Sequence, residues 1–256
     1  MVPCQRNAGF AAASHFPSVK IYFSHCSLHI HIIDVYFQIN LYTGLFLLYN
    51  TDVKHGWNMD KKIGLLGGTF DPIHNGHILM AVQVSNEYHL DSCLFLPAFI
   101  PPHKRERNIS SFEHRTDMCE IALSAHSNFS VSGIEKELGG VSYTYLTLSA
   151  LKRELKGELY YIIGGDSLFE LHLWRNPEEI ARLAKIICVP RPGTEGHLTR
   201  AGELKKEYNL EVLISSREGK NISSTAVREI IQSGGDASGL LPEGVFEYVR
   251  QHRLYQ

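Results

Sequence analysis

IGLLGGTFDPIHNGH, residues 63–77, is the stretch on which the fold turns. Its first five residues form a short, continuous apolar run, as a strand buried on both faces requires. Gly67 and Gly68 then permit a tight turn and let backbone amides come close to an anion. Pro72 stiffens the loop, and a helix is predicted to open near Asn75 or Gly76, with the amides of its first turn unsatisfied by the helix itself. A strand that passes through a glycine loop into a helix amino terminus offers a phosphate a place to sit.

The same alternation continues outward from this segment. Apolar runs at 93–98, 129–133, 159–165, 185–190 and 210–214 suit further buried strands. Helical stretches are expected between them at 77–88, 112–125, 143–155, 177–183, 198–208 and 224–232. Strand alternating with helix over some 200 residues implies an α/β fold with a doubly wound parallel sheet, Rossmann-like, whose ligand crevice lies at the carboxyl ends of the strands.

His74 and His77 are spaced i, i+3, so on a helix that starts here they share a face and can offer two imidazole N–H groups to neighbouring phosphate oxygens. A lone H-x-x-H pair is more often two polar loop residues, and it can also be a fragment of a metal site. No third or fourth ligand stands at a usable spacing, so no protein metal site is expected. The glycine pair is weak evidence alone, since it recurs at 139–140, 164–165 and 234–235. The weight lies in the full string placed directly after the first strand.

A second constellation, ISSTAVR, occupies 222–228. Ser223, Ser224 or Thr225 can cap the helix that follows, and Arg228, about one turn in, can point the same way. Read alone this is an ordinary capped surface helix; read with the first segment it can bring hydroxyls, amides and a guanidinium to one polyphosphate. Charge supports a local pocket. With 25 basic and 27 acidic residues the chain has a formal net charge of −2, which supplies no basic field for a nucleic acid. Five widely spaced cysteines with no CxxC pair read as reduced core thiols in a reducing compartment, hence a cytoplasmic protein.

Together these residues resemble the HxGH and SSTxxR signatures of a nucleotidyltransferase superfamily that includes class I aminoacyl-tRNA synthetases. Residues 60–256 are more closely similar to bacterial nicotinate-mononucleotide adenylyltransferases. The similarity extends through PPHK at 101–104, SYTYLTL at 142–148, IIGGDSL at 162–168, Trp174, VPRPG at 189–193 and the closing LLPEGVFEYVRQHRLY. The resemblance implies transfer of an adenylyl group from ATP to nicotinate mononucleotide, giving deamido-NAD and pyrophosphate in NAD biosynthesis, with Mg2+ arriving with ATP. It further implies that His77 stabilises the α-phosphate and that His74 supports the phosphates. Gly67, Gly68, Thr69 and Phe70, with Ser223, Ser224 and Thr225, would contribute to the ATP site, and Lys104 and Arg228 would grip the β and γ phosphates. Asp166 would accept a ribose hydroxyl, Trp174 would stack on the pyridine ring, and Thr144 and Tyr145 would present amides to its carboxylate. The nearest alternatives are a nicotinamide-mononucleotide or a pantetheine-phosphate adenylyltransferase; a non-catalytic nucleotide-binding module is the alternative of another class.

Residues 1–58 have no counterpart in that resemblance. They hold only Arg6, Lys20, Lys54, Asp34 and Asp52 among charged residues, and many Tyr, Phe, Leu and Ile. The longest uncharged run, 35–51, is short of the roughly 20 residues of a bilayer span and is interrupted by polar residues, so no membrane partner is expected. A strand-rich appendage, a membrane-associating leader and upstream sequence joined by an early start compete. We expect the last, with the adenylyltransferase domain occupying 59–256. Oligomeric state has no signal in the sequence.

Overall fold

The computed structural model describes residues 61–102 and 109–256. The extension 1–58 and Lys104 lie outside the described residues. Six strands form one sheet: β1 (Lys62–Gly68), β2 (Ser92–Pro97), β3 (Phe129–Val131), β4 (Glu158–Gly164), β5 (Lys185–Val189) and β6 (Val212–Ile214). Every neighbouring pair is parallel and the order is β3-β2-β1-β4-β5-β6. The doubly wound α/β sheet expected from the sequence is therefore present. Its strand order reverses between β1 and β4, which places the crevice of such a sheet above their carboxyl ends.

Side chains alternate across the sheet with the period of two that an extended backbone imposes. Leu159, Tyr161 and Ile163 of β4 join a core with Ile63, Leu65 and Ile186, while Tyr160 and Ile162 join Leu66, Phe95 and Ile187 on the opposite face. Each of these is at most 7% exposed, and burying one such side chain contributes about 1.5–3 kcal/mol. With both faces buried, the strands read as unbroken apolar runs.

Helices α1 (Asn75–Tyr88), α2 (Phe112–Leu123), α4 (Thr144–Glu154), α6 (Pro177–Leu183), α7 (His197–Tyr208) and α8 (Ser224–Gln232) follow the expected stretches within a residue or two. Their ends have local causes. α1 stops at His89, which is left-handed (φ 54°) and returns its amide to the Ser85 carbonyl. α6 starts with Pro177 in its first turn, and the Ser223 hydroxyl caps α8 by accepting from the Ala226 amide at 3.1 Å. Three shorter helices, α3 (Ile134–Leu138), α5 (Gly165–Glu170) and α9 (Val245–Gln251), had no expectation attached: five to seven residues leave the 3.6-residue period little room, and unlike the equally short α6 none opens on a proline or a side-chain cap.

Cys93, Cys119 and Cys188 are free and buried, as expected of core thiols, and burial pushes the thiols of Cys93 and Cys188 up to about 12. Cys4 and Cys26 lie outside the described residues. Among the described residues no helix is long and apolar enough to cross a membrane.

Candidate active site

β1 delivers the signature segment to the switch point. Gly67 and Gly68 are the last two strand residues, and what they supply is space: a Cβ on Gly67 would stand 2.0 Å from the Tyr161 hydroxyl, and one on Gly68 would stand 2.9 Å from the Phe70 ring. The left-handed residue of the turn is Phe70 (φ 51°), not a glycine, and the Asp71–Pro72 peptide is cis. The turn is held from beneath by Arg115, 2% exposed, whose guanidinium donates to the carbonyls of Thr69 (2.7 Å) and Ser110 (3.0 Å). Asp71 is buried at 3% and its Oδ1 accepts from the Tyr255 hydroxyl at 2.7 Å. Phe70, expected at the ATP site, is a core side chain whose ring meets that of His77 edge to face at 5.0 Å.

The two histidines share one side of the start of α1, as their spacing requires. Their rings are stacked, 3.7 Å apart and 22° from parallel. His74 is the residue before the helix, with an extended backbone, and its amide donates to Nδ1 of His77 at 3.2 Å. An amide can only donate, so Nδ1 of His77 is the acceptor and the neutral ring carries its proton on Nε2. His74 is 5% exposed, and burial, assisted by the nearby positive Arg191, lowers its pKa from 6.5 to about 4. It is a neutral imidazole at physiological pH. Gly76 has to be small: a Cβ there would press on the His74 ring at 3.0 Å and meet Ile222 at 3.5 Å.

The second segment arrives at the same loop. Nη1 of Arg228 donates to the Asp71 carbonyl at 2.6 Å and the Ser224 hydroxyl donates to the Pro72 carbonyl at 2.9 Å. Nη2 of Arg228 donates to the Thr225 hydroxyl at 3.3 Å. The two signatures, more than 150 residues apart in the chain, are thus bonded to one another. In this arrangement Ser223, Ser224 and Arg228 have protein partners: Ser223 caps α8, while Ser224 and Arg228 clamp the 71–72 turn.

A cavity of about 670 Å³ opens beside this clamp, between the ends of β1 and β4. Of the residues singled out in the sequence, Gly67, Gly68, Thr69, His77, Thr144, Asp166 and Trp174 line it. The ring of Trp174 stands edge to face against Tyr161 at 6.0 Å. Thr144 and Tyr145 are the first two residues of α4, so their amides have no acceptor within the helix. The Tyr145 side chain packs against the core. Among the described residues no group of three or more His, Cys, Asp or Glu is placed to hold a metal ion.

Several cavity residues carried no assigned role in the sequence. Arg191, in the loop after β5, pairs with Asp166 at 3.1 Å, so the expected ribose acceptor already has a cationic partner. Glu135 of α3 is 6% exposed, accepts from the Thr147 hydroxyl at 3.0 Å and has its pKa raised by burial. Arg175 lies over the ring of Tyr143, the residue that precedes α4, with its guanidinium carbon 5.0 Å from the ring centroid. VPRPG was visible as a string, but the pairing of Arg191 with a residue 25 positions earlier needed the sheet.

A cytidylyltransferase-like family model matches residues 65–230. A Clostridium perfringens protein named "Probable nicotinate-nucleotide adenylyltransferase" is 37% identical over 199 residues, covering 77% of this chain and 98% of that protein. A Synechococcus protein of the same name is 39% identical, covering 76% and 95%. The fold matches a solved Plasmodium falciparum nicotinic acid mononucleotide adenylyltransferase complexed with NaAD, with a TM-score of 0.64, 18% identity, and coverage of 76% of this chain and 97% of that one. With its signature segments joined at the switch point and relatives of this identity matched over nearly their whole length, the chain belongs to the nicotinate-nucleotide adenylyltransferase family of cytidylyltransferase-like proteins.

Proposed function

We infer that the protein transfers the adenylyl group of ATP to nicotinate mononucleotide, forming deamido-NAD and releasing pyrophosphate. The mononucleotide phosphate attacks the α-phosphorus in line; one P–O bond forms as the bond to the β-phosphate oxygen breaks, and no covalent enzyme intermediate is needed. Catalysis is then positioning plus stabilisation of charge on the transferring phosphoryl group.

The observation that carries this reading is the clamp between Arg228 and the Asp71–Pro72 turn, which brings α8 against the start of α1 beside the cavity. His77, with its proton held on Nε2 by the His74 amide, serves as donor to the α-phosphate oxygens. His74, neutral and stacked on it, keeps the second ring from adding a charge that would disturb that role. Arg228 reaches the β and γ phosphates by exchanging one carbonyl for them, and Lys104 joins it. Ser223, Ser224 and Thr225 border the triphosphate, Gly67, Gly68, Thr69 and Phe70 shape its floor, and Asp166 takes a ribose hydroxyl. Trp174 stacks on the pyridine ring and the amides of Thr144 and Tyr145 receive its substituent. The described acids around the cavity, Glu135, Asp166 and Glu170, form no metal cluster, a donor set that fits Mg2+ carried on the triphosphate oxygens themselves. A cytoplasmic enzyme of two nucleotide substrates, with no nucleic-acid or membrane partner, accords with this chemistry.

The test is pyrophosphate release from ATP with nicotinate mononucleotide, nicotinamide mononucleotide or phosphopantetheine. The expected result is fastest turnover with the nicotinate substrate. Turnover confined to phosphopantetheine, or ATP binding with no pyrophosphate from any acceptor, would overturn the reading.

A further inference from the structure

We propose that Arg175 sets the preference for the acid over the amide mononucleotide, by holding a guanidinium against the ring of Tyr143, the residue that precedes α4, beside the amides proposed to receive the pyridine substituent. The inference rests on the adenylyl-transfer reading and adds to it a specificity residue. The described cations lining the cavity are Arg175 and Arg191. Arg191 is already paired with Asp166 at 3.1 Å. Arg175 has no carboxylate at ion-pair distance among the described residues; its contact is the face of Tyr143.

The segment that carries Arg175 is pinned on both sides. The Trp174 amide donates to the Leu171 carbonyl at 3.0 Å, and the Asn176 carbonyl accepts from Glu179 and Ile180 at 3.1 and 3.2 Å. Tyr143 is fixed as well, since its carbonyl accepts from Leu146 at 2.9 Å and Thr147 at 3.3 Å at the start of α4. These bonds fix the backbone of both segments, and the guanidinium rests on the face of the Tyr143 ring, on the residue that follows the indole proposed to stack on the pyridine.

A carboxylate and a carboxamide have nearly the same shape, and each can accept from the amides of Thr144 and Tyr145 through one oxygen. Stacking on Trp174 hardly distinguishes them. What differs is the charge and the second group, an acceptor oxygen in the acid and an NH2 donor in the amide. A cation beside that position attracts the first and repels the second, and because Arg175 is exposed the effect is several-fold rather than several orders of magnitude.

Calorimetric dissociation constants for nicotinate and nicotinamide mononucleotides, on the full chain and on R175Q and R175K, test this. R175Q is expected to reduce the acid-to-amide affinity ratio by about 3–10-fold, R175K to keep most of it, and raising KCl from 50 to 500 mM to shrink the ratio in the unmodified protein more than in R175Q. An unchanged ratio in R175Q, or a proportional loss for both ligands, overturns the proposal while leaving adenylyl transfer intact. A protein that neither binds nor turns over either mononucleotide takes both readings down together.

Discussion

One backbone amide decides which nitrogen of His77 carries the proton. Because the His74 N–H occupies Nδ1, the proton of the neutral His77 ring is fixed on Nε2, and we propose that this N–H is the donor to the α-phosphate. His77→Ala removes it and is expected to lower kcat by on the order of 10²–10³-fold in a pyrophosphate-release assay, with a cooperative melting transition retained. His74 calls for a different measurement. Its folded pKa, about 4, lies below the ordinary 6.5, so between those values the unfolded chain binds a proton that the folded chain refuses. Its contribution to stability is complete above about pH 6.5 and is lost as the pH falls toward 4, a swing on the order of 3 kcal/mol. Denaturant titrations at pH 7 and 4 should show the unmodified protein losing 1–3 kcal/mol more than His74→Asn over that interval; equal losses would mean that His74 titrates as it does in water. The H-x-x-H spacing and its shared face were legible in the residues. The tautomer and the neutral state were not, because they depend on an amide direction, on burial in the folded chain and on the charge of Arg191, over 100 residues away.

At the scale of elements, the central strands were legible because both sheet faces are buried there and leave apolar runs, and the shorter, less buried β3 and β6 keep enough of that pattern to be seen; four helices span three turns or more, while the shorter α6 and α8 are marked by Pro177 and by the Ser223 cap at their starts. The short α3, α5 and α9 escaped notice, although α3 carries Glu135 and α5 carries Asp166 to the cavity wall. The role of the glycine pair was also legible only in part: close approach is what the strand end demands, while the positive φ belongs to Phe70. Gly67→Ala tests this. Its methyl group would overlap the hydroxyl of Tyr161, a buried ring packed in the core, so a destabilisation of about 1–3 kcal/mol or more is expected, measured as a lower midpoint in thermal or denaturant unfolding. A variant as stable as its parent would mean that the ring can move away without cost.

For the whole molecule, a parallel sheet was readable from the alternation of runs, but the order β3-β2-β1-β4-β5-β6 was not, since pairing between strands leaves no trace in local pattern. That order makes β1 and β4 neighbours and so creates the crevice. All six strands and the joined signatures fall between Lys62 and Gln232. We therefore propose that a chain beginning at Met59 keeps kcat/KM within about twofold of the full-length value, as expected when a domain carries its own core. A larger loss in the shortened protein would assign residues 1–58 a part in the domain. The clamp has one more consequence, for biosynthesis. Asp71 and Arg228 are 157 residues apart, and at about 5–20 residues per second a ribosome needs roughly 8–30 s to deliver the second after the first. The nascent β1 has no β4 beside it until residues 158–164 have been made and no α8 against its loop until the wait ends, so the corner where the two signatures meet is among the last parts of the protein to exist, and its apolar strand is a client for chaperones early in that interval.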